Sequence, residues 1–468
     1  MSAFFRKKSI DQLQREGAKN TGLNRVLGLW QLTAIGLGGI IGVGIFVLTG
    51  VAAAEHSGPA VILSFIIAGL ASAAAALCYA EFAGLIPVSG SAYTYSYAVL
   101  GEGAAWLIGW DLLLEYTLVV AVVAIGWSGY MQEILQHIGI HLPVWAQGAP
   151  GTGVGHKVDL IAVLVSLAIS ALLYFGIEWG SRFNNLMVII KLSVILVVIA
   201  VGSFYVDSAN WHPFMPFGFH GVMSGAALVF FAVFGYDTLT TAAEEAKNPQ
   251  RDLPIAVVLS LAVALCLYVA MSLVITGMAP YHTLNNAAPV AKVFSDVGLK
   301  WITLIISAAA IAGILSVLFS FMLAGSRIWF AMSRDGLLPK WFMRVHPKYK
   351  TPYRPTLIIG VITAFVSGFT PISEVAELVN IGTLSAFVLI CASIIVLRVK
   401  RPELERKFRT PLVPLIPLIG IGFSIYLIIS LPSITWIRFI VWMAAGLIIY
   451  ALYGKRKSTL AQNVTNEQ

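Results

Sequence analysis

The chain has 468 residues, of which 58% are hydrophobic and 11% are charged, and its mean hydropathy is +0.86. Soluble domains carry about 25% charged residues, so this composition excludes a soluble globular protein and indicates a membrane protein. The formal net charge of +8 is spread over short loops without a recognisable reader module, which argues against nucleic acid as a partner.

Apolar stretches long enough to cross a bilayer recur along the chain, since a crossing needs about 20 helical residues. The pattern predicts an all-α membrane protein with twelve transmembrane helices. The predicted spans are 28–54, 59–83, 100–131, 158–177, 183–205, 219–243, 253–278, 300–330, 355–371, 376–397, 411–431 and 434–453.

An even number of spans places both termini on one side of the membrane. With that side as the cytoplasm, 25 lysines and arginines lie inside, four lie outside, and Lys191 lies within a helix. Basic residues concentrate in cytoplasmic loops. We therefore predict a multi-pass protein of the cell membrane, in contact with lipids and with both termini cytoplasmic.

The first span contains five glycines within nine positions, from Gly36 to Gly44. Each glycine costs a helix about 1 kcal/mol relative to alanine, and interrupted helix is tolerated in a bilayer only beside protein or a water-filled cavity. The run therefore predicts a break that lines a site. A second reading remains open, because Gly38 and Gly42 have the spacing that lets two membrane helices pack closely.

The sixth span contains a similar signal, with aromatic residues around Gly235 followed by Asp237. Transporters built from inverted repeats interrupt matching helices near the midplane, where the substrate binds. Free N–H groups at the start of a half-helix suit a carboxylate, and free carbonyls at the end of one suit an ammonium group. The predicted substrate-binding set comprises Ile40, Ile41, Gly42, Val43, Gly44, Ile45, Phe231, Ala232, Val233 and Phe234.

Lys191 lies about 12 Å inside the fifth span, counted at 1.5 Å per residue. An ionisable group at this depth indicates function, although a lysine that reaches the interface remains the alternative. We predict that Lys191 couples protons and that Glu115 of the third span is its partner, with Asp111 as the other candidate. Asp237 either caps the unwound backbone or is a packing carboxylate bonded to Thr238 or Thr241.

The loop from Glu244 to Pro254 mixes charges and then begins a helix at a proline. Such a loop is typical of a solvated turn with a helix cap. A charge network that opens and closes an inner gate is the alternative.

Four segments together carry a family resemblance: Gly38 to Phe46, Gly109 to Tyr116, Phe230 to Asp237 with the following Glu244–Glu245 and Asn248–Arg251, and Ser333 to Pro339. In these segments the chain resembles the amino acid, polyamine and organocation transporter superfamily, and especially the bacterial relatives of the cationic amino acid transporters.

The resemblance implies a five-plus-five inverted repeat with discontinuous helices 1 and 6, two extra helices, and alternating access. The corresponding divisions are a cytoplasmic segment 1–27, repeats 28–205 and 206–397, spans 11 and 12 in 398–454, and a cytoplasmic tail 455–468. It also implies that Phe231 is an aromatic lid. Lys191 matches an ammonium group that, in some proton-dependent members, binds a span-one carbonyl near Ile41 or Gly42 when charged.

These observations predict an importer of L-amino acids coupled to protons. Phe321 and Met322 are further candidates for a pocket whose apolar walls favour small neutral substrates such as alanine. A cationic amino acid permease, an exchanger, sodium coupling through Ser316 and Ser320, and a transporter-like nutrient sensor remain alternatives. No nucleophile elbow, metal-ligand set or phosphate loop indicates an enzyme, a metal or a cofactor, and the sequence does not address an accessory subunit.

Overall fold

A computed structural model describes residues 4, 6–10, 13, 25–175, 177–285 and 288–461. Over these residues the regular structure is helical, and the only extended pairings are two isolated bridges, Leu27 with Ala246 and Gln147 with Asp159. The predicted segments 1–27 and 455–468 lie partly outside the described residues.

The main helices are numbered in chain order, and single turns are left unnumbered. They are α1 (Leu29–Ile40), α2 (Val61–Leu85), α3 (Ala92–Val99), α4 (Glu102–His137), α5 (Leu160–Tyr174), α6 (Ile177–Gly202), α7 (Gly218–Val229), α8 (Asp237–Thr241), α9 (Pro249–Met278), α10 (Pro289–Asp296), α11 (Lys300–Arg334), α12 (Tyr353–Phe369), α13 (Ile372–Lys400), α14 (Leu415–Ile429) and α15 (Ser433–Ile449).

Within the described residues, eight apolar helical stretches are long enough to cross a membrane. Four shorter apolar helices, α1, α5, α12 and α14, accompany them. One of the eight stretches, Gly44–Leu85, contains parts of the first two predicted spans in continuous helical turns. The chain is therefore an all-helical, multi-pass membrane protein.

Local sequence explains several helix starts. The Asp159 side chain accepts a hydrogen bond from the Ala162 N–H at 3.0 Å and caps α5, which satisfies one of the free N–H groups of a first turn. Proline begins α9 at Pro249 and α10 at Pro289, where its missing N–H costs nothing.

Helix α1 lies inside the bundle and packs against α6, α9 and α11. Helix α4 packs against α11 and α13 on the other side of the core. Most of α1 is buried, and the side chains that face it from α6 and α11 include buried polar groups. Polar groups buried in a bilayer need partners within the protein, so the buried polar groups around α1 indicate a candidate functional site.

Candidate functional site

The first predicted break is present in the structure. Helix α1 ends at Ile40, and Ile41 is extended, with φ −82° and ψ 108°. Helical turns resume at Gly44 as a widened π turn, Gly44–Leu48. The first N–H groups of such a segment have no partner within the helix, so this end is suited to an anion.

The second break follows α7. A 3₁₀ turn, Phe230–Ala232, ends the helix, and α8 begins only at Asp237. Gly235 between them has φ +111°, and a Cβ there would lie 2.8 Å from the carbonyl oxygen of Gly39. Only glycine combines this conformation with so close an approach, so the two breaks touch directly.

A small cavity of about 10 Å³ lies between the breaks, which is room for about one water molecule. Seven predicted residues line it: Ile40, Gly42, Val43, Gly44, Phe231, Phe234 and Phe321. Four residues absent from the predicted set complete the lining: Gly39, Val119, Val123 and Val317. The wall is apolar, apart from the backbone.

The other predicted pocket residues are buried beside the cavity without lining it, namely Ile41, Ile45, Ala232, Val233 and Met322. Ala232 packs directly against Gly44 of the cavity wall, since a Cβ on Gly44 would lie 2.3 Å from the Ala232 Cβ.

The glycines of the first span serve both roles that the sequence left open, close packing of helices and lining of the site. A Cβ on Gly38 would lie 2.9 Å from Asn184 Oδ1 on α6 and 2.9 Å from Ser320 Oγ on α11, as expected of a helix-packing glycine. Gly42 and Gly44, in contrast, line the cavity.

Lys191 extends from α6 to the broken end of α1 and is fully buried. Its Nζ donates to the carbonyl oxygens of Leu37 at 2.9 Å, Gly38 at 3.2 Å and Ile41 at 2.6 Å, and it contacts Ser316 Oγ on α11 at 2.7 Å. The alternative, in which this lysine reaches the interface, is therefore wrong for this structure.

Other side chains hold neighbouring carbonyls at the first break. The Tyr268 hydroxyl of α9 donates to the Ile40 carbonyl at 2.8 Å, so this carbonyl, predicted to bind a substrate ammonium group, already has a partner. Asn184 Nδ2 donates to the Ala34 carbonyl at 3.3 Å.

Hydroxyl groups hold the second break. The Ser72 hydroxyl of α2 donates to the Val233 carbonyl at 2.7 Å, and the Thr238 hydroxyl donates to the Gly235 carbonyl at 2.6 Å. Within the described residues, no ionisable side chain is recorded as donating to a carbonyl of residues 230–236.

The predicted pairing of Glu115 with Lys191 is wrong for this structure. Glu115 lies on α4 near Asp111 and Asp237, which are its electrostatic neighbours, and no described ion pair joins it to Lys191. The cause is helix placement, since Lys191 faces α1 and α11 whereas Glu115 lies beside Gly382 of α13. The alternative candidate, Asp111, also lies beside Gly382.

Asp237 begins α8 and accepts a hydrogen bond from the Tyr116 hydroxyl of α4. Because α8 has no side-chain cap, the packing interpretation describes Asp237 better, with Tyr116 of α4 as its hydroxyl partner. Thr238 and Thr241 direct their hydroxyls to backbone carbonyls instead. One oxygen each of Asp111, Glu115 and Asp237 is buried without a hydrogen-bond partner among the described residues.

The loop after α8 contains both predicted features: Lys247, Asn248 and Arg251 are exposed and α9 begins at Pro249, as in a solvated turn, whereas the two glutamates before them form a buried charge network. Arg327 Nη2 lies 2.7 Å from Glu245 Oε1, and Arg334 Nη1 lies 3.0 Å from Glu244 Oε1. Both glutamates are buried. Burial raises the pKa of the Glu245 carboxyl above its usual value, while the Arg327 guanidinium opposes that rise.

Comparisons with known proteins place the chain among amino acid transporters by sequence. The sequence profile described as amino acid permease matches residues 27–453. The chain is 49% identical over 461 residues to the branched-chain amino acid permease BcaP of Bacillus subtilis, covering 98% of this chain and 99% of that protein. It is 47% identical over 460 residues to the methylthioribose transporter of the same bacterium, covering 98% and 100%.

A more distant relative is the human cationic amino acid transporter 4. The chain is 38% identical to it over 395 residues, which is 82% of this chain and 62% of that protein.

Proposed function

Since the chain belongs to the amino acid permease family, which consists of transporters and not enzymes, we propose that it imports small neutral L-amino acids in step with protons. The observation that carries the proposal is the single ammonium group of Lys191, bound to three carbonyls at the broken end of α1. This break lines the cavity between the two interrupted helices.

In the proposed cycle, the substrate lies in this cavity. Its carboxylate meets the N–H groups of residues 42–45, where the second half of the first helix begins. Its ammonium group meets the carbonyls of Phe231, Ala232 and Phe234. Backbone dipoles at the ends of half-helices favour both contacts. The cavity of about 10 Å³ corresponds to a closed state, so it must widen before substrate enters. Phe231 is the proposed lid.

Protonation of Lys191 controls the break in this scheme. A charged lysine has three N–H donors, and the structure surrounds it with three carbonyls and one hydroxyl oxygen. When the proton leaves, the amine loses one donor and the attraction of its charge for the carbonyl dipoles. The broken end of α1 is then free to move.

The same geometry favours protons over sodium. A sodium site needs several oxygen ligands, and here the carbonyls beside α11 and the Ser316 hydroxyl already contact an ammonium group. Ser320, the other hydroxyl considered for sodium, donates to the Ile35 carbonyl at 3.3 Å.

Glu115 remains a candidate for proton coupling without contacting Lys191. Three buried carboxylates, Asp111, Glu115 and Asp237, lie near one another, and no cationic side chain pairs with them among the described residues. Buried like charges disfavour joint ionisation. We therefore propose that these three carboxylates hold a proton during the cycle, at a second site besides Lys191.

The lining favours neutral substrates. Val119, Val123, Val317 and Phe321 surround the cavity, and none of the three carboxylates reaches it, so the distal charge of lysine or arginine would lack a partner. The relative with 49% identity carries the name of a branched-chain amino acid permease, and valine-sized substrates are therefore the first competitors to test against alanine.

The proposed topology has twelve crossings with both termini cytoplasmic, which requires α1, α5, α12 and α14 to contribute crossings as well. The distribution of 25 basic residues inside and four outside supports it. Repeats 28–205 and 206–397 each place their interrupted helix first. This order is the arrangement expected of an inverted repeat.

The decisive test is labelled alanine uptake into sodium-free proteoliposomes that carry an imposed pH gradient, acidic outside. We expect accumulation that collapses when the gradient is dissipated. Accumulation that needs sodium would replace protons as the coupling ion, and uptake only against internal amino acid would indicate an exchanger. Binding without any uptake would indicate a sensor. Valine and lysine as competitors test the neutral specificity.

A further inference from the structure

Both ends of the described chain meet at Asp335, which follows the last turn of α11. Lys8 Nζ lies 2.6 Å from Asp335 Oδ1, and both side chains are at least nine-tenths buried. The Tyr93 hydroxyl of α3 donates to Asp335 Oδ2 at 2.6 Å. The Thr459 N–H, near the other end of the chain, donates to the Asp335 carbonyl at 3.0 Å.

Glu102, the first residue of α4, joins the same two segments. Its N–H donates to the Arg6 carbonyl at 2.7 Å. The Ser458 hydroxyl donates to its Oε2 at 2.6 Å, and the Tyr450 hydroxyl donates to its Oε1 at 2.8 Å. Asp335 and Glu102, each through its carboxylate and its backbone together, therefore contact both terminal segments.

We propose that residues 6–10 and 457–459 form a terminal clasp on Asp335 and Glu102, and that this clasp must release before the protein opens on the side of its termini. This inference rests on the proposed alternating access. The first segment precedes α1 in the chain, and the clasp fixes this segment against the start of α4 and the end of α11.

A second attachment lies closer to α1. The Leu27 N–H donates to the Glu245 carbonyl at 3.0 Å, and the Lys247 N–H donates to the Leu27 carbonyl at 2.8 Å. Glu245 itself pairs with Arg327 of α11. The part of α1 before its break can therefore swing away from α11 only when the chain in front of it is released. The clasp adds a second ion pair, Lys8 with Asp335, to that restraint.

Lys8 suits a releasable contact. A buried ion pair loses much of its Coulombic gain to desolvation, so it need not add much to stability in order to select one arrangement of the helices. Removing the Lys8 charge leaves the Asp335 carboxylate buried without its cation, which penalises the closed arrangement and is relieved when the clasp opens.

The test measures access to α1 in the full-length protein without substrate or gradient. Thr33, which is 4% exposed on α1 before the break, is replaced by cysteine in a background where Cys78, Cys266 and Cys391 are changed to alanine. Inside-out vesicles are treated with a membrane-impermeant maleimide. The variants are Lys8→Met and, as matched control, Arg401→Met, whose partner Glu403 is 60% exposed.

We expect Lys8→Met to raise the labelling rate about tenfold, the factor that loss of one charge-assisted hydrogen bond corresponds to, and the control to leave the rate unchanged. Equal rates in parent and Lys8→Met would overturn the clasp.

Two gentler variants keep the test decisive if Lys8→Met does not assemble. Tyr93→Phe and Ser458→Ala each remove one hydroxyl from the clasp, and each should raise labelling about twofold to fivefold. No rise in both would contradict the proposal. Because labelling needs neither substrate nor protons, sodium coupling or pure exchange would refute the proposed function and leave this result intact.

Discussion

The two interrupted helices are held open by different chemistry. At the first break, an ammonium group from α6 binds the carbonyls of Leu37, Gly38 and Ile41. At the second, the hydroxyls of Ser72 and Thr238 bind the carbonyls of Val233 and Gly235. A lysine can gain or lose a proton in its range of titration, whereas a hydroxyl does not ionise near neutral pH.

This difference assigns separate tasks to the two breaks. The second break keeps the same hydrogen bonds at any physiological pH and acts as a fixed wall of the cavity. The first break changes its restraint when Lys191 changes its charge. In the proposed cycle, coupling therefore resides in α1 and its contacts with α6 and α11, and both breaks bind the substrate.

The largest expected effect comes from closing the contact between the breaks. Gly44→Val places a branched side chain where even a Cβ lies 2.3 Å from the Ala232 Cβ. We expect the Kd for alanine to rise about 10- to 100-fold, because overpacking of this kind costs about 1–3 kcal/mol. Scintillation proximity binding measures it.

The control for this variant is Gly422→Val on α14, where an added Cβ meets nothing within 4 Å. Its Kd should equal that of the parent. An unaltered Kd in Gly44→Val itself would show that the glycines at this break serve helix packing alone.

Lys191→Ala separates binding from coupling. We expect alanine accumulation under a pH gradient to fall to the level seen without a gradient, while the Kd changes by less than about tenfold, because the lysine lies outside the cavity lining. Ser72→Ala, which removes one hydrogen bond from the second break, should keep gradient-driven accumulation. Normal accumulation in Lys191→Ala would leave that lysine a structural residue.

Tyr268→Phe tests whether a neutral donor at the first break also matters. The variant loses the hydrogen bond to the Ile40 carbonyl, which lines the cavity. We expect the KM for alanine to rise about threefold to tenfold, as for an unpaired buried carbonyl, with proton coupling retained. Loss of coupling would mean that control of the first break is shared between α6 and α9.

The smallest effect is expected from Thr238→Val at the second break. Its hydroxyl is one of several local bonds to the backbone, and its loss should change the KM by about twofold to fivefold. The dependence of uptake on pH should match that of the parent. A shifted pH dependence would contradict the assignment of a fixed role to this break.

The sequence predicted the two breaks because their signals are local. Glycines at 36–44 and the aromatic run around Gly235 weaken a helix wherever it packs, and the structure interrupts both helices at these positions. The burial of Lys191 followed from its depth in an apolar stretch in the same way.

The sequence did not predict which residues contact the two breaks and Lys191, because these contacts depend on how distant helices pack. Val119 and Val123 lie in an apolar run, and Val317 lies between two serines of another, so nothing in the sequence distinguishes these valines from ones that face lipid. Glu115 was paired with Lys191 because both lie deep in predicted spans, yet the neighbours of a helix depend on how the bundle packs. Tyr268 gave no signal either, since its hydroxyl bonds to a backbone carbonyl of a distant helix.

The most direct test of the account follows protons and alanine together. Sodium-free proteoliposomes containing a pH-sensitive dye are given labelled alanine, and proton influx and alanine uptake are recorded in the same sample for the parent and for Lys191→Ala. The account predicts proton influx in step with alanine in the parent, and alanine exchange without proton influx in the variant. Proton influx that persists unchanged in Lys191→Ala would contradict it.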